Sequence, residues 1–267
     1  MIADRIKDRI ENFEGSIGIC YIDLGTSNSC SAGNGDVFLA SGIVKLLTLV
    51  ECFRRIEDGT LGKEDTYVLK TEDRLEVVET GEPSYGALEH LHSGIELTVE
   101  DIYKLCVTVS DNMAFNILLK MLTMDEVNHT LERMGLSKSR VRRLILDMES
   151  IKKGIENEVS IREMANLLYR MYKGQVVSEK ASSEMLDIMK RHQKTSVLPY
   201  YFGERVPVAH VTGYDDTVLL DVGIVYGEAP FVLAMGAEAS DIRNAESVMR
   251  DVALMCYKNS MEINGLQ

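Results

Sequence analysis

The sequence predicts an α/β fold of the α+β kind: an antiparallel sheet flanked by terminal helices, with an all-helical lobe inserted between its strands. Three observations predict it. Strand-type runs occur near the start of the 267-residue chain and return after residue 195. The stretch between them is punctuated by helix start and stop signals. An amphipathic helical pattern stands at each end.

In order, MIADRIKDRIENFEG places Ile2, Ile6, Ile10 and Phe13 on one helical face. Residues 16–24 (SIGICYIDL) are β-branched and apolar and run into the turn signal Gly25-Thr26-Ser27-Asn28. A short strand over 29–32 completes a hairpin. From Ser41 the period changes, with Ile43, Leu46, Leu47, Val50 and Phe53 at helical spacing. That helix is apolar on most sides, so it belongs in the interior. Thr98 to Asp101 and Ser160 to Glu163 read as capping boxes, Thr123 and Ser178 as further N-caps, and Gly135 and Gly174 as helix stops. Runs at 206–214, 217–226 and 231–239, joined by short turns, read as an antiparallel meander. A last helix over 241–257 offers Ala245, Val248, Val252 and Met255 to the sheet. The division expected is a discontinuous sheet lobe, 1–57 and 196–267, and a helical lobe, 58–195, with an active-site-type cleft between them.

Composition excludes several functions. With 29 basic and 42 acidic residues the formal charge is −13, which repels phosphate backbones, so no nucleic-acid partner is expected. No apolar run reaches the ~18 residues that span a bilayer. No basic, apolar and small-residue leader pattern opens the chain. Five cysteines without CxxC spacing suit neither a disulfide framework nor zinc. His90 and His92 lie close together but lack a third ligand at metal spacing, and read as exposed loop residues. The expectation is a cytoplasmic protein with no metal, no cofactor and no membrane contact.

Three segments share one chemical theme. Acyl transfer of the Ser/Lys type needs a serine at a helix start and a lysine one turn later. It also needs a second hydroxyl to relay protons and a strand-borne cation for an anionic substrate. The first segment is Phe38-Leu39-Ala40-Ser41-Gly42-Ile43-Val44-Lys45-Leu46, the second Ser110-Asp111-Asn112 followed by Met113-Ala114-Phe115-Asn116, and the third Val208-Ala209-His210-Val211-Thr212-Gly213. In this order they resemble the F-x-x-A-S-x-x-K-L, S-D-N and H-K-T-G motifs of the serine β-lactamase and penicillin-binding-protein superfamily, class A in type. Tyr85-Gly86, Gly94 to Thr98 and Leu220 to Tyr226 add to a resemblance that runs from about Gly15 to the last helix. It implies the β-lactamase/transpeptidase-like fold, β-lactams or peptidoglycan-peptide-like molecules as ligands, and a serine acyl-enzyme.

The departures fall on the chemistry. In the register set by Phe38 and Lys45, the nucleophile position holds Gly42, and the nearest hydroxyl, Ser41, is one residue early. The strand lysine is replaced by Val211, beside retained Thr212 and Gly213. No R-x-E-P-x-x-N loop appears, and Asp147 and Glu149 are the carboxylates at hand for its role. Loss of a hydrolase nucleophile costs about 10⁶-fold; loss of a charge-assisted contact costs about 1.5–3 kcal/mol. The first dominates.

The implied protein is therefore a degenerate β-lactamase-like member, a pseudoenzyme for small-ligand binding or interaction. The alternative is an active serine hydrolase in which Ser41 attacks with Lys45 or Ser110 as base. Plain structural roles stand beside these: Ser41 as N-cap of the central helix, Lys45 paired to Ser110, Asn112 or a carboxylate of 147–149, and Ser110-Asp111-Asn112 as a capped turn. His210 reads as a packed strand residue, and Cys30 carries no thiol chemistry.

Overall fold

The computed structural model describes residues 1–75 and 84–266, apart from the side chain of Glu204. The elements, in chain order, begin with α1 (Ile2–Ile10), β1 (Ser16–Asp23), β2 (Ser29–Gly33), β3 (Val37–Leu39), a 3₁₀ turn at Ser41–Ile43 and α2 (Val44–Glu57). β4 (Thr66–Val68), β5 (Glu96–Thr98), α3 (Val99–Thr108), α4 (Asn112–Leu122), α5 (Met124–Arg133) and α6 (Met148–Lys152) follow. The chain closes with β6 (Glu158–Ser160), α7 (Ile161–Tyr172), α8 (Glu179–Met189), β7 (Val208–Tyr214), β8 (Val218–Val225), β9 (Phe231–Glu238) and α9 (Ile242–Ile263). Among the described residues no helix is long and apolar enough to cross a membrane.

Two compact units emerge, 1–43 with 158–267, and 44–157. The boundaries differ from the expected 57/58 and 195/196. α2 packs against α3, α4 and α5 and so belongs with the helices. α7 packs on β1, β8 and β9, and α8 on β7, so both belong with the sheet. Periodicity marks a helix but not the elements it packs against.

The sheet unit is a five-stranded antiparallel sheet in the order β2-β1-β9-β8-β7. Period-two alternation sorts its side chains. Ile17, Ile19 and Tyr21 of β1 and Phe231, Leu233, Met235 and Ala237 of β9 build one core with Ile6 and Ile10 of α1 and Val248, Val252 and Cys256 of α9. Every residue of β8 is buried, as expected of a strand covered on both faces. α9 runs six residues beyond the predicted end at 257. Its last turns are polar, so apolar periodicity misses them. They are held by hydrogen bonds: Ser260 Oγ donates to Asp23 (2.5 Å), Asn264 Nδ2 to Asp23 (3.1 Å) and Asn259 Nδ2 to the Tyr21 hydroxyl (3.3 Å).

The helical unit also contains the small antiparallel pair β4–β5, which the sequence pattern does not mark. Three-residue strands are too short to show a period. Its caps are where the sequence places them: Thr98 accepts from Asp101 N, and Thr123 from Glu126 N. In the sheet unit Ser160 and Ser178 cap α7 and α8 in the same way. α2 is buried continuously from Val44 to Phe53, including Lys45, Thr48 and Glu51. Burial pushes the Glu51 carboxyl up, but hydrogen bonds from Arg54, Thr130 and Arg55 outweigh it and leave the group below its ordinary value.

Candidate functional site

The motif residues fall into two groups, one within each unit. In the helical unit Lys45 is the second residue of α2, 1% exposed. Its Nζ donates to the Ser110 carbonyl (2.6 Å), the Ser110 hydroxyl (2.9 Å) and Asn112 Oδ1 (2.8 Å). The pairing is the Ser110–Asn112 one of the expected alternatives. Asp147 instead caps α6 through Ser150, and Glu149 is exposed.

Ser110 takes a left-handed backbone (φ 57°) that turns the chain between α3 and α4. Asp111 then does three things at once. One carboxylate oxygen accepts from Ala114 N (2.8 Å), capping α4. The other accepts from Ala87 N (2.6 Å) and Leu88 N (2.8 Å), tying down a separate loop. Each residue of the S-D-N triplet thus has structural work. Cys106 lies in this neighbourhood, and burial pushes its thiol up to about 12 despite the nearby Lys45 charge.

In the sheet unit the 3₁₀ turn at Ser41–Ile43 packs against β7. Ser41 is half-buried with φ 41°, and its hydroxyl donates to the Tyr214 carbonyl (3.0 Å). The expected N-cap role is therefore corrected: the helix opens through a 3₁₀ turn, and this proton is spent on a strand carbonyl. Gly42 is the tightest point. A Cβ there would land on the carbonyl oxygen of Thr212, and would sit 3.3 Å from that carbonyl carbon and 3.4 Å from Gly213 Cα. These are backbone atoms that cannot swing aside.

Val211, Thr212 and Gly213 are all buried. β7 is an edge strand of its sheet, yet Thr212 N–H donates to His192 Nε2 (3.3 Å) and its hydroxyl to the Lys194 carbonyl (3.3 Å). The Thr212 N–H, one of the groups an edge would offer an extended ligand, is engaged by the chain itself. His210 is packed as expected, 1% exposed, and its Nδ1 pairs with Asp221 Oδ1 (2.9 Å). His90 and His92 are exposed, and among the described residues no cluster of His, Cys, Asp or Glu suits a metal ion. Burial pushes the Cys30 thiol up to about 11.

Three residues here were not singled out by sequence: His192, Lys194 and Asp221. Asp221 was within reach. The turn at Asp215-Asp216 sets Thr212 opposite Asp221 and His210 opposite Gly223, so Asp221 is the same-face diagonal neighbour of His210. His192 and Lys194 lie in the irregular segment after α8, where no periodicity points.

A family model described as the beta-lactamase enzyme family matches residues 1–260. A comparison with curated proteins gave no match. Among solved structures, the chain is similar to a β-lactamase from Sphaerobacter thermophilus, at 24% identity and TM-score 0.85 over 97% of this chain and 95% of that one. It is similar to PBP-A at 23% identity and TM-score 0.86, over 98% and 96%. A variant of PBP-A, also 23% identical with TM-score 0.85 over 98% and 96%, was solved as an acyl-enzyme complex with penicillin G.

Proposed function

The chain belongs to the beta-lactamase enzyme family, and from that premise we propose that it is a degenerate, non-acylating member that binds a small molecule of the family's ligand class without hydrolysing it. The observation that carries this reading is the Thr212 carbonyl at Gly42: the backbone of β7 occupies the space that the side chain of a nucleophile would need. Other contacts support it. The Ser41 hydroxyl is turned to a strand carbonyl, and Lys45 is held by the Ser110 carbonyl, the Ser110 hydroxyl and Asn112. The ligand class, a β-lactam or a peptidoglycan-peptide-like molecule, is taken from the family and from the penicillin G complex of the PBP-A variant.

The test is the intact mass of the protein after incubation with penicillin G, read together with loss of the drug and with thermal stability. The expected result is an unchanged mass, unconsumed drug and a ligand-dependent rise in Tm that survives Ser41→Ala. A stoichiometric mass gain would overturn the reading. One observation favours the displaced-nucleophile alternative: the left-handed backbone of Ser41, a strained conformation of the sort that gathers at active sites. An adduct mapped to Ser41 is the outcome that would establish it.

A further inference from the structure

Behind β7 lies a chain of buried polar groups that reaches beyond the acyl-transfer motifs to His192 and Asp221. Asp221, fully buried, accepts from Leu198 N (2.9 Å) and pairs with His210 Nδ1 (2.9 Å). The ring of His210 meets that of His192 edge to face, with centroids 4.8 Å apart and planes at 88°. His192, 4% exposed, takes the Thr212 N–H on Nε2. The same Thr212 places its carbonyl against Gly42. Asp221, His210, His192 and Thr212 thus lead, contact by contact, from the sheet interior to the point where the nucleophile position is closed.

We propose that His192, with His210 and Asp221 behind it, is a pH-sensitive latch that holds β7 closed over Gly42. The argument rests on donors and acceptors. A backbone N–H can only donate, so Nε2 must carry a lone pair while the bond exists, and the proton of neutral His192 is on Nδ1. Protonation puts a second N–H against the Thr212 N–H. Two donors then face each other in a buried place, an arrangement that burial penalises. It also sets a cation beside the His210 ring, which Asp221 holds by its Nδ1. The latch is therefore closed when His192 is neutral and weakened as acid protonates it.

The surrounding charges can be named. β7 contributes His210 and, at its exposed end, Tyr214; β8 contributes Asp221 through His210. The segment of His192 itself carries Lys194, whose ammonium burial pushes below its ordinary value. α8 carries Lys190, paired with Asp187 (2.9 Å). The 3₁₀ turn at Ser41–Ile43 brings no titratable side chain. Within this set, His192 is the histidine whose ring nitrogen accepts the Thr212 N–H, so its protonation state decides whether that bond exists.

The latch is independent of whether the protein acylates, and its test reads no ligand. The experiment is NMR of the full chain titrated from about pH 8 to about pH 5, the range in which histidines change charge. It follows His192 Nε2, the Thr212 amide shift and its hydrogen exchange corrected for intrinsic rate. The expected result is that the Thr212 resonance moves with the protonation of His192 and that its exchange speeds up about tenfold, the signature of a local opening. In His192→Gln, which keeps an oxygen acceptor and cannot titrate, the pH dependence of Thr212 should vanish. If that variant fails to fold, the wild-type titration decides alone. A Thr212 amide that ignores His192 protonation, a His192 that stays neutral throughout the native range, or equal pH dependence in wild type and variant would each overturn the latch.

Discussion

Restoring the missing serine tests the closure at Gly42 directly. In Gly42→Ser the new Cβ comes closer than 3.0 Å to the Thr212 carbonyl oxygen, and lies 3.3–3.4 Å from two further backbone atoms. Relief requires the 3₁₀ turn to part from β7, whose bonds to β8, His192 and Lys194 resist the shift. Overpacking of a tight site costs about 1–3 kcal/mol. At roughly 2–4 °C per kcal/mol for a chain of this size, Tm should fall by about 2–12 °C. Gly42→Ala, which adds the Cβ without the hydroxyl, should fall by nearly the same amount. The assay is calorimetry paired with intact mass after penicillin G. Both variants should be destabilised and neither should gain mass. A serine variant of wild-type stability that acylates would show that β7 yields readily, and the steric reasoning would be refuted.

Two more outcomes follow from the buried groups. Lys45→Met preserves most of the side-chain volume but leaves the Ser110 carbonyl, the Ser110 hydroxyl and Asn112 Oδ1 without that donor; urea unfolding should show a loss of about 1–3 kcal/mol, whereas a gain in stability would mark Lys45 as a residue kept for function at the expense of the fold. Burial raises the thiols of all five cysteines, Cys30 to about 11 and Cys106 to about 12. A raised thiol stays protonated until the pH climbs to its own value, so the attacking thiolate is scarce at about pH 8; iodoacetamide should label the native protein slowly and the urea-unfolded protein quickly, and fast native labelling of the half-buried Cys30 would contradict its raised thiol.

The framework was legible because it rests on local rules. Alternating strands, the cap residues Thr98, Thr123, Ser160 and Ser178, and the all-apolar α2 each leave a period or a cap signal in a few adjacent residues. What stayed hidden depends on partners distant in sequence. The polar end of α9 is helical because Asp23, more than two hundred residues earlier, accepts from Ser260 and Asn264. The assignment of α2 and α7 to their units depends on which neighbours they meet. His192 matters through a single acceptor nitrogen opposite Thr212, twenty residues away. No spacing rule encodes such a contact.

The same distinction explains why parts of a chemical motif can be kept by the fold alone. Asp111 caps α4 and ties a second loop, so its loss would leave three N–H groups, two of them buried, without this acceptor whatever the protein does. Lys45 fixes the turn at Ser110 by three hydrogen bonds. Gly42 and Gly213 allow two backbones to meet at a distance that side chains would forbid. Each residue has a folding role that is independent of turnover. A serine nucleophile has no such second role, and a strand lysine facing a buried edge would have to be paired to stay there. The motif positions that changed, Gly42 and Val211, are those where catalysis alone would hold a serine and a lysine. Those that persist are the ones the fold would miss. Motif survival in this chain therefore measures structural debt, and the chemistry must be judged at Gly42.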